Sequence, residues 1–197
     1  MSARAACLLV LATAGCADLL GVESLSGVDA GDAAADAADA GADASMDAGD
    51  AGCTTSWVKA SGGQVPPGAI AAPMGDAAIS FVCRVTIGND LVPGKLLTTW
   101  GCYYGDAQGE HLAGDYEVLV PRSCAVAWSP APGGLPPGSA LECGRDSQGA
   151  LYSCALSPSE AHPGELGHMG WSTSHQCLYS YGGASISSTS FSVLTAK

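Results

Sequence analysis

The middle of this chain is written twice. Cys53 and Trp57 return as Cys124 and Trp128, and Pro66-Pro67-Gly68 returns as Pro136-Pro137-Gly138. Asp76 is matched by Asp146, Phe81-Val82-Cys83 by Tyr152-Ser153-Cys154, and Pro93-Gly94-Lys95 by Pro163-Gly164-Glu165. The offset is 70 to 71 residues up to that Pro-Gly pair. It is 75 for Cys102 with Cys177, and for Tyr116-Glu117-Val118-Leu119 with Phe191-Ser192-Val193-Leu194, so an insertion is expected beyond Gly164. Self-similarity at a fixed period marks repeated supersecondary units that share one core. Residues 53–121 and 122–197 are therefore expected to form two copies within one joint domain.

Each copy reads as short strands. In Ile79–Ile87 the odd positions are apolar while Ser80, Arg84 and Thr86 face the other way, and Ala150–Leu156 repeats that phase. Period-two alternation bounded by Gly, Pro, Asn and Asp predicts half-buried strands. With 27 glycines and 11 prolines in the chain, and no helical period in the domain, the expected class is an all-β, sandwich-like domain with pseudo-twofold symmetry. Pro66-Pro67-Gly68 and Pro93-Gly94 are expected at turns. Trp57 and Trp128, at equivalent places, are expected to close the core, and Trp100 and Trp171 are expected to be buried rather than displayed.

The amino terminus is chemically separate. Residues 1–16 hold one basic residue, Arg4, then an apolar run from Ala5 to Ala14 and small residues up to Cys16. This is the layout of a secretory signal. Thr13-Ala14-Gly15-Cys16 resembles a bacterial lipobox, which implies acylation of Cys16 and attachment to a membrane surface. Such an anchor implies a cell-envelope location, with the outer membrane favoured over the inner. The alternative is an ordinary cleavage site with a chance cysteine. Residues 17–52, rich in Ala, Asp and Gly, carry nine of the 19 acidic residues and no Lys or Arg. So little apolar bulk cannot offset the entropy of ordering, and a disordered tether is expected. What remains, 53–197, has ten acidic and six basic residues and no basic stripe, which speaks against nucleic acid as a partner.

Seven cysteines fall in the domain, where a secreted setting favours disulfides. Pseudo-symmetry suggests Cys83–Cys102 and Cys154–Cys177 as equivalent bridges, leaving Cys53 to meet Cys124 and Cys143 unmatched. That is one of fifteen pairings of six thiols. No Cys-x2-Cys pair signals a metal site, and no cofactor is implied. His162, His168 and His175 could hold zinc, although loop histidines are more often exposed polar residues. No Gly-x-Ser-x-Gly elbow or His-Glu-x-x-His is present, so no enzyme is expected.

Trp57-Val-Lys-Ala-Ser, Val65-Pro-Pro-Gly68-Ala69, Cys83-Arg84-Val85, Pro93-Gly94-Lys95-Leu96, Cys102-Tyr103 and Tyr116-Glu117-Val118-Leu119 together resemble the DM9 repeat. So do Gly144-Arg145-Asp146, Leu151-Tyr152, Pro163-Gly164, Tyr181-Gly182-Gly183 and Val193-Leu194 in the second copy. The resemblance implies a compact pseudo-twofold β-structure and a lectin-like function, since characterised animal relatives bind mannose. It places sugar contacts at Asp76 and Lys95, with Glu110 at an acidic position often present. A carboxylate accepts from vicinal hydroxyls while an ammonium donates to them. For Asp76 a turn-capping role competes with that one. In the second copy Asp146 and Arg145 remain as candidates, but Glu165 stands where Lys95 does and Ser185 where Glu110 does. Two carboxylates there would suit a hard cation such as calcium better than a sugar.

The leading expectation is an anchored, mannose-type carbohydrate-binding module with one site, in the first copy. The alternative is a non-catalytic envelope lipoprotein with a structural or protein-binding role. A homodimer is compatible with either.

Overall fold

A computed structural model describes residues 53–73 and 80–197. The expected anchor and tether (1–52, including Cys16) and Asp76 lie outside the described residues. Among the described residues, no helix is long and apolar enough to cross a membrane.

The domain is all-β, as the alternation predicts. The first copy runs β1 (Thr55–Ser61), β2 (Ser80–Ile87), β3 (Asp90–Leu97), β4 (Gly101–Asp106), β5 (Gly109–Ala113) and β6 (Asp115–Pro121). The second runs β7 (Val126–Pro130), β8 (Glu142–Asp146), β9 (Gly149–Leu156), β10 (Leu166–Met169), β11 (Cys177–Tyr181), β12 (Ala184–Ser188) and β13 (Phe191–Ala196). All thirteen belong to one antiparallel hydrogen-bonded network. β3 branches it: Leu91 pairs with Arg145 of β8, while Lys95 to Leu97 pair with β4. β9 branches in the same way, to β8, β10 and β13. Branching lets strands of one network lie on two sides of a core.

Corresponding strands of the two halves form corresponding ladders. β1 pairs with β6 as β7 pairs with β13, with Trp57 opposite Leu119 and Trp128 opposite Leu194. Three apolar clusters result. One centres on Cys83, Leu96, Cys102 and Val118, another on Cys154, Met169, Cys177 and Val193. The third draws on both copies: Val82 and Leu119 pack with Ala155, Leu166 and Leu194, and Trp57 and Trp128 flank them. The packing role expected of these two tryptophans is observed, and the Trp128 Nε1 proton is donated to the Ala71 carbonyl at 3.2 Å.

This shared core explains a departure from the half-buried reading of β2. Val82 and Ala155 lie on the strand faces expected to meet solvent, and both are fully buried. Arg84 is consequently buried too. It donates from Nε to Glu117 Oε2 at 2.7 Å, and its guanidinium stacks 4.1 Å from the centre of the Trp57 ring. A buried cation requires such partners, because desolvation without them costs several kcal/mol, as an order of magnitude.

Among the described residues, three disulfides join Cys53 to Cys124, Cys83 to Cys102 and Cys154 to Cys177, the pairing that pseudo-symmetry suggested. Cys143 is a buried thiol that donates weakly to the Leu141 carbonyl at 3.3 Å. The turn at Pro66-Pro67-Gly68 forms as expected, with Ala69 N donating to Pro66 O and Gly68 at φ 84°. Pro93-Gly94, expected as a turn, instead lies inside β3. Gly94 faces Cys83 across the ladder, and a Cβ there would fall on the Tyr103 carbonyl oxygen of β4. Glycine is thus required by close strand approach beneath the Cys83–Cys102 bridge.

Gly167 has the same surroundings: it faces Cys154, and its Cβ would fall on the Leu178 carbonyl oxygen. The ladders therefore make Gly167, not Gly164, the counterpart of Gly94, an offset of 73. His168 takes the position of Lys95, and Glu165 that of Val92. The extra residues are split between the β9–β10 and β10–β11 connections, not confined to one loop.

Trp100 and Trp171 are 63% and 68% exposed, contrary to the expected burial. Both sit in connections containing positive-φ residues: Thr99 at 74° in the tight β3–β4 turn, and Ser174 at 53° and His175 at 59° in the longer β10–β11 loop. A β-branched residue at such φ is a genuine outlier. The backbone of Thr99 is packed against Gly63, which leaves the indole of Trp100 directed outward.

Candidate functional site

Glu165 lies in the β9–β10 loop, three residues before the strand position that matches Lys95. As part of the β9–β10 loop it leaves its own copy and reaches Lys95 in the other. Lys95 sits on β3 with its side chain 5% exposed. Its Nζ donates to Glu165 Oε2 at 2.9 Å and to the Ser180 carbonyl of β11 at 2.6 Å. Glu110 Oε1 lies 3.7 Å away, inside ion-pair range but beyond a hydrogen bond. The Tyr181 and Tyr103 ring centres are 5.5 Å and 6.0 Å from the ammonium.

Contacts between the copies hold this arrangement. Glu110 Oε2 accepts from Gly183 N at 2.7 Å, and Ser185 Oγ donates to Gly109 O at 2.9 Å. The β4–β5 and β11–β12 hairpins thereby clasp each other. A Cβ at Gly105 would sit 2.5 Å from Ser185 Oγ, so glycine sets how closely they approach.

Above Lys95 opens a cleft of about 680 Å³. Its walls include Ser80, Leu97 and Tyr103 from the first copy and His162, Pro163, Glu165, Tyr181 and Gly182 from the second. His162 stacks on Tyr181 with ring centres 3.8 Å apart, forming a two-ring wall. Aromatic faces with a few converging polar groups are what a small polar ligand needs. A second groove of about 540 Å³ lies along Lys59, Arg84, Asp115 and Glu117, but its buried arginine is already satisfied by Glu117 and Trp57.

Of the sequence candidates, Lys95 and Glu110 come together in the cleft. Arg145 and Asp146 do not line it. Arg145 is exposed on the β8–β9 hairpin and pairs with Glu142 at 2.8 Å. Asp146 caps that hairpin, its Oδ1 accepting from Gln148 N at 2.8 Å and Gly149 N at 3.0 Å. The hard-cation idea fails for the same reason, since Glu165 is committed to Lys95 while Asp146 is committed to a turn. Asp106 does the equivalent work in the first copy: its Oδ1 accepts from Gln108 N at 2.7 Å and meets His111 Nε2 at 2.8 Å. Desolvation raises the Asp106 carboxyl, but the hydrogen bonds to His111 and Gln108 outweigh it and hold the pKa below the usual value.

The three clustered histidines have separate surroundings. His162 lines the cleft, His175 packs edge-on with Trp171 at 4.4 Å between ring centres, and His168 is buried. Among the described residues, no three His, Cys, Asp or Glu side chains are arranged to hold a metal ion. Sequence reasoning missed Glu165 as a partner of Lys95, weighed His162 only as a zinc ligand, and gave Tyr103 and Tyr181 no part in a site. The ring spacing crosses between copies, and no short motif encodes it.

His168 closes the counterpart of the Lys95 position. Burial drives its pKa down to about 4, although a hydrogen bond with the Pro93 backbone works in the other direction. Neither its Nδ1 nor the facing Ser153 Oγ has a protein partner. The folded imidazole stays neutral where the unfolded one, with a pKa of about 6.5, takes up a proton. Its contribution to stability is therefore full above pH 6.5 and lost as pH falls toward 4. The loss is on the order of 3 kcal/mol. Thermal melts from pH 7 to pH 5, above most carboxylate titration, should show falling stability in the wild type and a flatter profile in His168→Asn.

Residues 75–166 match the family model for the DM9 repeat, a segment running from the first copy into the second. A search of curated proteins found no significant match. Among solved structures, the chain is similar to the crystal structure of the nematode sperm cell motility protein MFP2B. The TM-score is 0.55 at 12% identity, covering 73% of this chain and 44% of that one. The chain thus spans less than half of that protein, and the likeness is one of fold. The DM9 match spans β2 to β9 of the architecture described above.

Proposed function

We propose that the Lys95 cleft is a carbohydrate site, and that the protein is a non-catalytic binding module held at a bacterial cell envelope by an acyl group on Cys16. The observation that carries this reading is the 3.7 Å gap between Lys95 Nζ and Glu110 Oε1 at the base of a ring-walled cleft. A hydroxyl oxygen placed about 2.8 Å from each could accept from the ammonium and donate to the carboxylate. Water-excluding walls strengthen such charge-assisted bonds, and the Tyr181–His162 pair offers an apolar face to a sugar ring. Asp76, assigned by resemblance, enters as a further contact to be tested. Each bond displaces hydration, so an affinity of about 0.1–1 mM for a monosaccharide is expected.

Mannose is the proposed first ligand, on the resemblance to DM9 lectins. Calorimetric titration of the purified protein with mannose and mannan should show one site per chain, because His168 fills the counterpart position. Glu110→Gln should weaken binding about tenfold, by loss of a charge-assisted acceptor. Absence of heat with every neutral hexose tested would contradict the proposal. The competing structural role would be favoured if an envelope protein were captured with equal efficiency in the presence and absence of free sugar.

A further inference from the structure

We infer that the cleft selects sugars by charge: it favours a ligand carrying an amine beside a hydroxyl, as in a 2-amino hexose, and rejects uronic acids. This deepens the carbohydrate reading and rests on it. The charges at the cleft are not equally presented. Lys95 is 5% exposed, whereas Glu110 is 13% and Glu165 25% exposed at the side chain. A ligand entering from solvent therefore meets carboxylate before ammonium. The three groups also leave one negative charge in surplus.

The geometry suits two adjacent polar groups of different kinds. A hydroxyl fits between Lys95 and Glu110, as above. A neighbouring ammonium would fall toward Glu165, whose Oε2 is already held by Lys95 at 2.9 Å, so that carboxylate is fixed without a reorganisation cost. The walls add to this preference. Tyr181 and Tyr103 already lie 5.5 Å and 6.0 Å from one ammonium, a spacing at which ring faces attract cations. A ligand carboxylate would meet the same ring faces and two like charges, and would gain only a lysine that is already paired.

The test compares mannose, mannosamine and mannuronate by calorimetry at pH 7, where the amino sugar carries its ammonium. The expected order is mannosamine about tenfold tighter than mannose, because an ammonium–carboxylate pair at Glu165 replaces a hydroxyl–carboxylate hydrogen bond there, with mannuronate weakest. Raising the salt from 50 mM to 500 mM should shrink the amine preference, since partly exposed charges are screened. Glu165→Gln keeps an oxygen for Lys95 but removes the surplus charge, and should bring mannosamine to within about twofold of mannose. Equal affinities in the wild type, or tighter mannuronate, would overturn the charge selection while leaving a neutral-sugar site intact. No binding of any of the three would overturn both readings.

Discussion

Reduction of the three disulfides is expected to unfold the domain at room temperature. The bridges span sequence separations of 71, 19 and 23 residues. In the chain-entropy account each constrains the unfolded state by about 3–4 kcal/mol. Together they approach about 10 kcal/mol, comparable with the whole stability of a typical domain. Far-UV circular dichroism with a thiol reductant should show loss of the β signal, and retention of a cooperative melt would contradict this. The individual bridges should rank against loop length. Cys83 and Cys102 are fully buried beside Gly94, whereas Cys53 and Cys124 are half-buried. Replacing the first pair by alanine therefore adds a cavity in a tight strand crossing to the lost constraint. The Cys83→Ala/Cys102→Ala variant should melt lower than Cys53→Ala/Cys124→Ala, although its loop is much the shorter.

Lys95→Met should cost both stability and ligand binding. Removing one partner of a buried ion pair leaves the other charge without compensation, here Glu165 and Glu110 facing each other across the vacated space. A loss of about 3 kcal/mol is expected, at the lower end for buried pairs because Glu165 is partly exposed. For a domain of this size that lowers the melting temperature by roughly 10 °C. The second change, Glu165→Leu, should restore part of the loss in the double variant, and a double-mutant cycle by urea denaturation measures the coupling. A Lys95→Met protein that melts within about 2 °C of the wild type would show that the ammonium is not held as described.

Much of the fold was legible because duplication is a global constraint. Equivalent cysteines gave equivalent bridges once two copies were recognised, and Trp57 and Trp128 shared a packing role because they shared a register. Where the reading failed, a local string had been matched without its ladder. Pro163-Gly164 imitates Pro93-Gly94, yet the physical requirement is a glycine opposite the bridged cysteine, which Gly167 meets. That shift of three residues moved Glu165 from an imagined second site to the only described carboxylate hydrogen-bonded to Lys95. The burial of Arg84 was hidden for a related reason: alternation reveals one buried face, while a core shared between copies covers the second as well. Trp100 and Trp171 are displayed by positive-φ turns, and nothing in their own residue types announces such a backbone. Lys95 and Glu110 were found through family resemblance, but Tyr103 and Tyr181 join them only through the clasp of the two hairpins, and His162 only through the β9–β10 loop that stacks it on Tyr181.

The location of the site is most directly tested by amide chemical-shift mapping during titration with mannose. Shifts are expected at Tyr103, Glu110, Glu165, Tyr181 and Gly182, with the Arg145–Gly149 hairpin and the His168 strand unmoved. Shifts confined to that hairpin, or spread along the Lys59–Glu117 groove with the cleft silent, would contradict it.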